Sequence, residues 1–117
     1  MLQIKFYSNQ AGKKPVVDFL DSLNDKQAEK VLWVLRIIRE YDRVPKQYFQ
    51  KLSNTADLWE VRVSQGGNIF RILGFHDTDQ LIILTNGFQK KTQKTPRKEI
   101  VLAEKRKKNY LMRKQDG

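Results

Sequence analysis

The chain has 117 residues, 39% of them apolar and 31% charged, with no cysteine and a single histidine, His76. That length suits one domain over residues 1–117 with its own core. The cysteine count excludes a disulfide framework and a thiolate zinc site, and His76 alone holds no metal. No apolar run approaches the roughly 18 residues of a membrane span, and MLQIKFYSNQAGKK lacks the apolar core of a signal peptide, so a cytoplasmic protein without membrane insertion is expected. The charge is uneven: residues 1–87 carry 12 basic and 10 acidic side chains, residues 88–117 carry 11 and 3, within a net charge of +10. An excess concentrated in the last quarter points to a polyanionic partner, with phosphate backbones first and an anionic membrane or acidic protein behind.

In chain order, LQIKFY places Leu2, Ile4 and Phe6 on one face at a period of two, the pattern of a strand ended by Gly12. Pro15 suits a first helical position, and Val16, Phe19, Leu20 and Leu23 follow at helical spacing. Asn24 with Gln27 three residues on forms a capping-box pattern, which starts a second helix. Its apolar arc has two stripes, one of Ala28, Val31, Leu32, Leu35 and Ile38, the other of Val34, Ile37 and Tyr41. An arc that wide predicts cover from more than one neighbour. The short link between the helices predicts an antiparallel hairpin packed on a sheet, broken near Arg43 and Pro45.

Residues 45–57 read as a polar connection tethered by Tyr48, Phe49 and Leu52. Three strand-like runs follow, LWEVRVS (58–64), NIFRILGFH (68–76) and QLIILTNGF (80–88), separated by QGG and DTD, which predicts an antiparallel meander. Trp59, Val61 and Val63 share one face of the first run; Leu58, Glu60, Arg62 and Ser64 share the other. Thr95 and Pro96 read as N-cap and first position of a last, surface helix with a thin apolar stripe and a frayed RKQDG tail. The expected class is α+β: an N-terminal strand, a two-helix hairpin, a three-stranded meander completing one sheet, and a C-terminal helix.

LWEVRVSQGGNIFRILGF, followed by NGFQKKTQKTP and a helix containing EI..A, resembles the RelE/ParE toxin superfamily and, within it, the HigB-like branch of toxin-antitoxin modules. The likeness covers nearly the whole chain and is sharpest over residues 58–110. It implies a RelE-like fold and a cofactor-free, metal-independent endoribonuclease that cuts messenger RNA on the ribosome. It also implies neutralisation by a cognate antitoxin, often a helix-turn-helix protein of the HigA-like kind. Carried over by position, it implies a catalytic set of Glu60, Arg62, Arg71, Lys90 and Lys91, with Phe88, Gln89, Thr92, Lys94, Arg97 and Lys98 touching RNA.

The chemistry is consistent with those residue types. Attack of a 2′-hydroxyl on the adjacent phosphate needs a base, cations for the transition-state charge, and an acid for the departing 5′-oxygen. Each residue carries an alternative. Arg71, flanked by apolar residues, is a phosphate clamp or a structural ion pair with Glu60 or an aspartate. Arg62 and Glu60 share a strand face and act together or neutralise each other. Lys90 and Lys91 have fixed backbones and crowded amines, which favours proton exchange near neutral pH, but a lysine run also describes a solvated face. Phe88 stacks a base or closes the core. Glu60 is the alternative base, and His76 reads as an exposed turn residue away from the lysines. Two other functions compete: a ParE-like, non-catalytic gyrase inhibitor, and a basic nucleic-acid-binding module.

Overall fold

In the computed structural model, residues 2–116 are described. The elements run β1 (Gln3–Phe6), α1 (Pro15–Asp21), α2 (Asp25–Glu40), β2 (Phe49–Lys51), β3 (Trp59–Gln65), β4 (Asn68–Thr78), β5 (Leu81–Gln89) and α3 (Arg97–Asp116). Among the described residues they make a mixed α+β architecture of three helices and one open, five-stranded sheet ordered β1-β5-β4-β3-β2.

The turn between β3 and β4 follows from its glycines. Gln65 pairs with Asn68, so Gly66 and Gly67 alone close the hairpin, and both hold positive φ, 58° and 83°. That is the backbone of a two-residue turn matched to strand twist, open to glycine without strain. β4 pairs with β5 on its other side, and the meander is antiparallel throughout. β1 lies parallel to β5 at one edge of the sheet, and α1 and α2 carry the chain from it to β2 at the other edge, from which the meander returns to β5.

Both sheet faces are covered in part. On one, α1 and α2 bury Val16, Val31, Val34, Leu35 and Ile38 against Val61, Val63, Phe70, Ile72, Ile82 and Leu84. On the other, α3 packs Ala103, Ile100 and Tyr110 on Leu58, Leu73, Phe75, Ile83 and Tyr7. The alternation read from β3 is realised here: Trp59, Val61 and Val63 face the helical pair, and Leu58 faces α3. Asn24 caps α2 with both capping-box hydrogen bonds present.

Several expectations need correction. Residues 45–57 are not wholly connection, because Phe49–Lys51 forms a fifth strand at the sheet edge opposite Trp59–Val61. Three residues are too few to show a period, so only the buried Phe49 hinted at it. The wide arc of α2 is not fully covered, since Leu32, Trp33 and Tyr41 remain 52%, 38% and 62% exposed. Thr95 does not cap α3; the helix starts at Arg97, and the Pro96 carbonyl accepts from the Glu99 and Ile100 amides. The tail is helical to Asp116 and tethered: Arg113 donates to the Ser8 carbonyl and Lys114 bonds both oxygens of Asp77 at 2.9 Å. The last tail residue, Gly117, lies outside the described residues.

Candidate functional site

The α3 face of the sheet is polar where the helix does not reach. Glu60 on β3 lies opposite Leu73, and one pleat further along the same face Arg62 lies opposite Arg71 of β4. Two cations directly across a ladder repel. The Glu60 carboxylate relieves this, with Oε1 3.4 Å from Arg71 Nε and 3.8 Å from Arg62 Nε. Its other oxygen, Oε2, accepts a 2.6 Å hydrogen bond from the Thr95 hydroxyl.

Burial divides these groups into two levels. Glu60 and Arg71 are only 3% and 4% exposed, and Arg71 Nη1 donates to its neighbour's carbonyl, Phe70 O, at 3.0 Å. Of the two readings of Arg71, the geometry contains the ion pair with Glu60. Burial holds the Arg71 guanidinium below the usual arginine range, partly offset by Glu60 and reinforced by Arg62. Arg62 sits above this pair with its side chain 32% exposed.

Lys90 joins from the end of β5. Its amide donates to the Ile69 carbonyl at 2.7 Å, which fixes the backbone against β4 after the strand has ended. Burial lowers the pKa of its amine below the ordinary lysine value, and repulsion from Arg71 and Arg62 lowers it further, against the pull of Glu60. Glu60, Arg62 and Arg71 form one ion-pair cluster, and Lys90 adjoins it from the end of β5.

The other expected residues fall around it. Lys91 is exposed and has no ion pair among the described residues. Phe88 lies opposite Arg71 and packs against the α3-side core, the apolar of its two readings. Gln89 donates to Asn68 Oδ1 at 3.1 Å, tying the two strand ends. Thr92 donates to the Lys94 carbonyl at 2.9 Å and shapes the loop. Lys94, Arg97 and Lys98 are exposed beside the site and at the start of α3.

His76 is not the exposed turn residue expected. It is half-buried with its ring centroid 5.1 Å from Trp59 and 6.1 Å from Phe49, and burial pushes its pKa down against Asp79. Its neighbours belong to the helical-pair face, which separates it from the cluster.

Two contacts join segments distant in the chain. Thr95 was read as a cap, and the only sign of another role was its place seven residues after Phe88, at the end of a loop returning toward β3. Arg106, on the helix expected to lie at the surface, donates from Nη1 at 2.9 Å to the carbonyl of Thr85, the residue left unpaired where the β4–β5 register shifts. Beside that bulge the Asn86 amide donates to a Glu99 carboxylate oxygen at 3.0 Å. These bonds hold α3 to β5 beside the cluster, whose Glu60 and Arg71 are buried while Arg62 remains partly exposed.

A family model described as Phage derived protein Gp49-like (DUF891) matches residues 18–108, from the first turn of α1 well into α3. No curated protein matches the chain.

Proposed function

The chain belongs to the Gp49-like family of phage-derived proteins, within the RelE/HigB-type toxin superfamily, and from that premise we propose that it is the toxin of a toxin-antitoxin module, an endoribonuclease of the HigB-like branch that cuts messenger RNA on the ribosome. The family implies an antitoxin partner. The observation that supports the nuclease reading is the pairing of Arg62 and Arg71 with Glu60 on the α3 face of the sheet, with Arg62 partly exposed and Lys90 fixed at the adjoining end of β5.

In this reading the message lies across the open face with its scissile phosphate on Arg62 and Lys90. Arg71 contributes its field from beneath and fixes Glu60. Glu60, with both oxygens engaged, is a positioning residue for Arg62. Lys90 in its neutral form takes the 2′-hydroxyl proton. The 2′-oxygen–phosphorus bond forms, the phosphorus–5′-oxygen bond breaks, and the departing oxygen takes a proton from Lys91 or water. The products are a 2′,3′-cyclic phosphate and a 5′-hydroxyl. Arg62 is matched to the charge on the equatorial oxygens because a guanidinium stays charged and donates in a fork. A lowered lysine pKa enlarges the neutral fraction that a base requires.

The test is incubation of the purified chain with ribosomes programmed with a defined message, followed by mapping of RNA ends. Cuts that disappear in Lys90→Ala and Arg62→Ala support the reading. Intact RNA together with blocked DNA supercoiling by gyrase would replace it with the ParE-like alternative.

A further inference from the structure

The basic side chains of α3 divide into two groups. Arg106, Lys107, Arg113 and Lys114 are used within the fold, bonding the carbonyls of Thr85, Ala56 and Ser8 and the carboxylate of Asp77. Arg97, Lys98, Lys105 and Lys108 are exposed, and among the described residues they make no ion pair or side-chain hydrogen bond. Of the acidic side chains on the helix, Glu99 accepts from the Asn86 side-chain amide and Glu104 from the Ala56 backbone amide, so neither pairs with these cations.

The unpartnered cations are not scattered. With about 3.6 residues per turn, Arg97, Lys98, Lys105 and Lys108 fall within an arc of roughly 100°, together with the exposed Val101 and Met112. At about 1.5 Å per residue, the stripe from Arg97 to Lys108 is roughly 16 Å long. It runs on from the 90–96 loop, so its first residues adjoin the site and Lys105 and Lys108 lie beyond it.

We propose that the outer stripe of α3 is a second RNA surface, which grips the phosphate backbone of a duplex RNA segment and is distinct in Lys105 and Lys108 from the surface that holds the scissile strand. Over about 16 Å of axis a duplex presents on the order of ten phosphates. The four exposed cations of the stripe outnumber its one flanking carboxylate, Glu104, and so attract them. RNA duplexes are recognised through backbone and shape rather than through their narrow major groove, which suits a stripe of lysines with few directional donors. An anionic membrane fits less well. A helix lying in a bilayer interface needs a broad apolar face, and the apolar face of α3 is spent on the sheet, with Ala103 fully buried.

The experiment measures binding of the full chain, carrying Lys90→Ala so that any RNA remains intact, to a blunt 20-base-pair RNA duplex by fluorescence anisotropy over a salt series. Adding Lys105→Gln and Lys108→Gln should weaken binding about tenfold and make the slope of log affinity against log salt shallower by about 1.8, as expected for two lost phosphate contacts on a duplex. Replacing two exposed cations of α2 instead, Lys26→Gln and Arg36→Gln, removes the same charge from the opposite sheet face and should change affinity less than twofold. Equal losses from the two pairs, an unchanged duplex affinity, or loss of binding to phosphatidylserine vesicles but not to RNA would each overturn the proposal. Duplex binding is read separately from cleavage, so failure of the nuclease reading and failure of this one are distinguishable.

Discussion

Glu60 is a carboxylate almost fully removed from water, with Arg71 buried against it, Arg62 above and the Thr95 hydroxyl on its free oxygen. Removing one member of such a pair leaves a charge buried without its partner, which costs about 3–5 kcal/mol, whereas replacing both by apolar groups is often neutral. Arg71→Met should therefore lower stability in urea unfolding by about 3 kcal/mol, and Glu60→Leu added to it should recover most of the loss. Gly87 presents a different constraint. A β-carbon there would lie 2.5 Å from the Phe19 ring, so Gly87→Ala should force α1 off β5 and destabilise by about 1–3 kcal/mol, measurable in the same assay. At this scale the cluster was partly legible. The alternation of LWEVRVS put Glu60 and Arg62 on one face, and the apolar flanks of Arg71 signalled burial. The depth of Arg71 and the bond from Thr95 were not legible, because both depend on partners distant in the chain, 35 residues away for Thr95.

The elements show the same division between local and distant causes. The α2 capping box and the glycine turn were readable because their partners lie within four residues. β2 was not, since its evidence is the pairing with β3, and neither was the docking of α3, whose apolar stripe is thin and whose hold on the sheet is largely polar. The far end of α3 is fixed at Asp77, where the hydrogen bond from Lys114 and then that from Tyr110 keep the carboxyl below its ordinary value of 3.8. A depressed folded pKa adds stability that is present above the unfolded value and lost as pH falls through the folded one. Asp77→Asn should thus be less stable than the parent near neutral pH, and the difference should shrink as pH drops below about 3.8. Thermal unfolding of both proteins between pH 2 and 7 gives the check.

Across the whole molecule, the +10 charge is partitioned by structure rather than spread: part of it locks α3 to the sheet, part forms the cluster at Glu60, and part lines the outer helix. The family resemblance was readable because its words lie in β3, β4 and the loop after β5, the segments that build the open face. A lysine held below its ordinary 10.5 by burial and two guanidinium groups should give an RNA-cleavage profile whose rising limb is centred below that value. Lys90→Arg should remove the limb while preserving RNA binding, because arginine keeps the charge and cannot release its proton. The most direct test of the account is end-group analysis of RNA cut on programmed ribosomes by the parent and by Lys90→Arg. The parent should leave 2′,3′-cyclic phosphate and 5′-hydroxyl ends, and the variant should cut at least a hundredfold more slowly, in line with the roughly 10²–10⁴-fold usual for a positioned base. Ends bearing a 5′-phosphate, or a variant that cuts as fast as the parent, would contradict it.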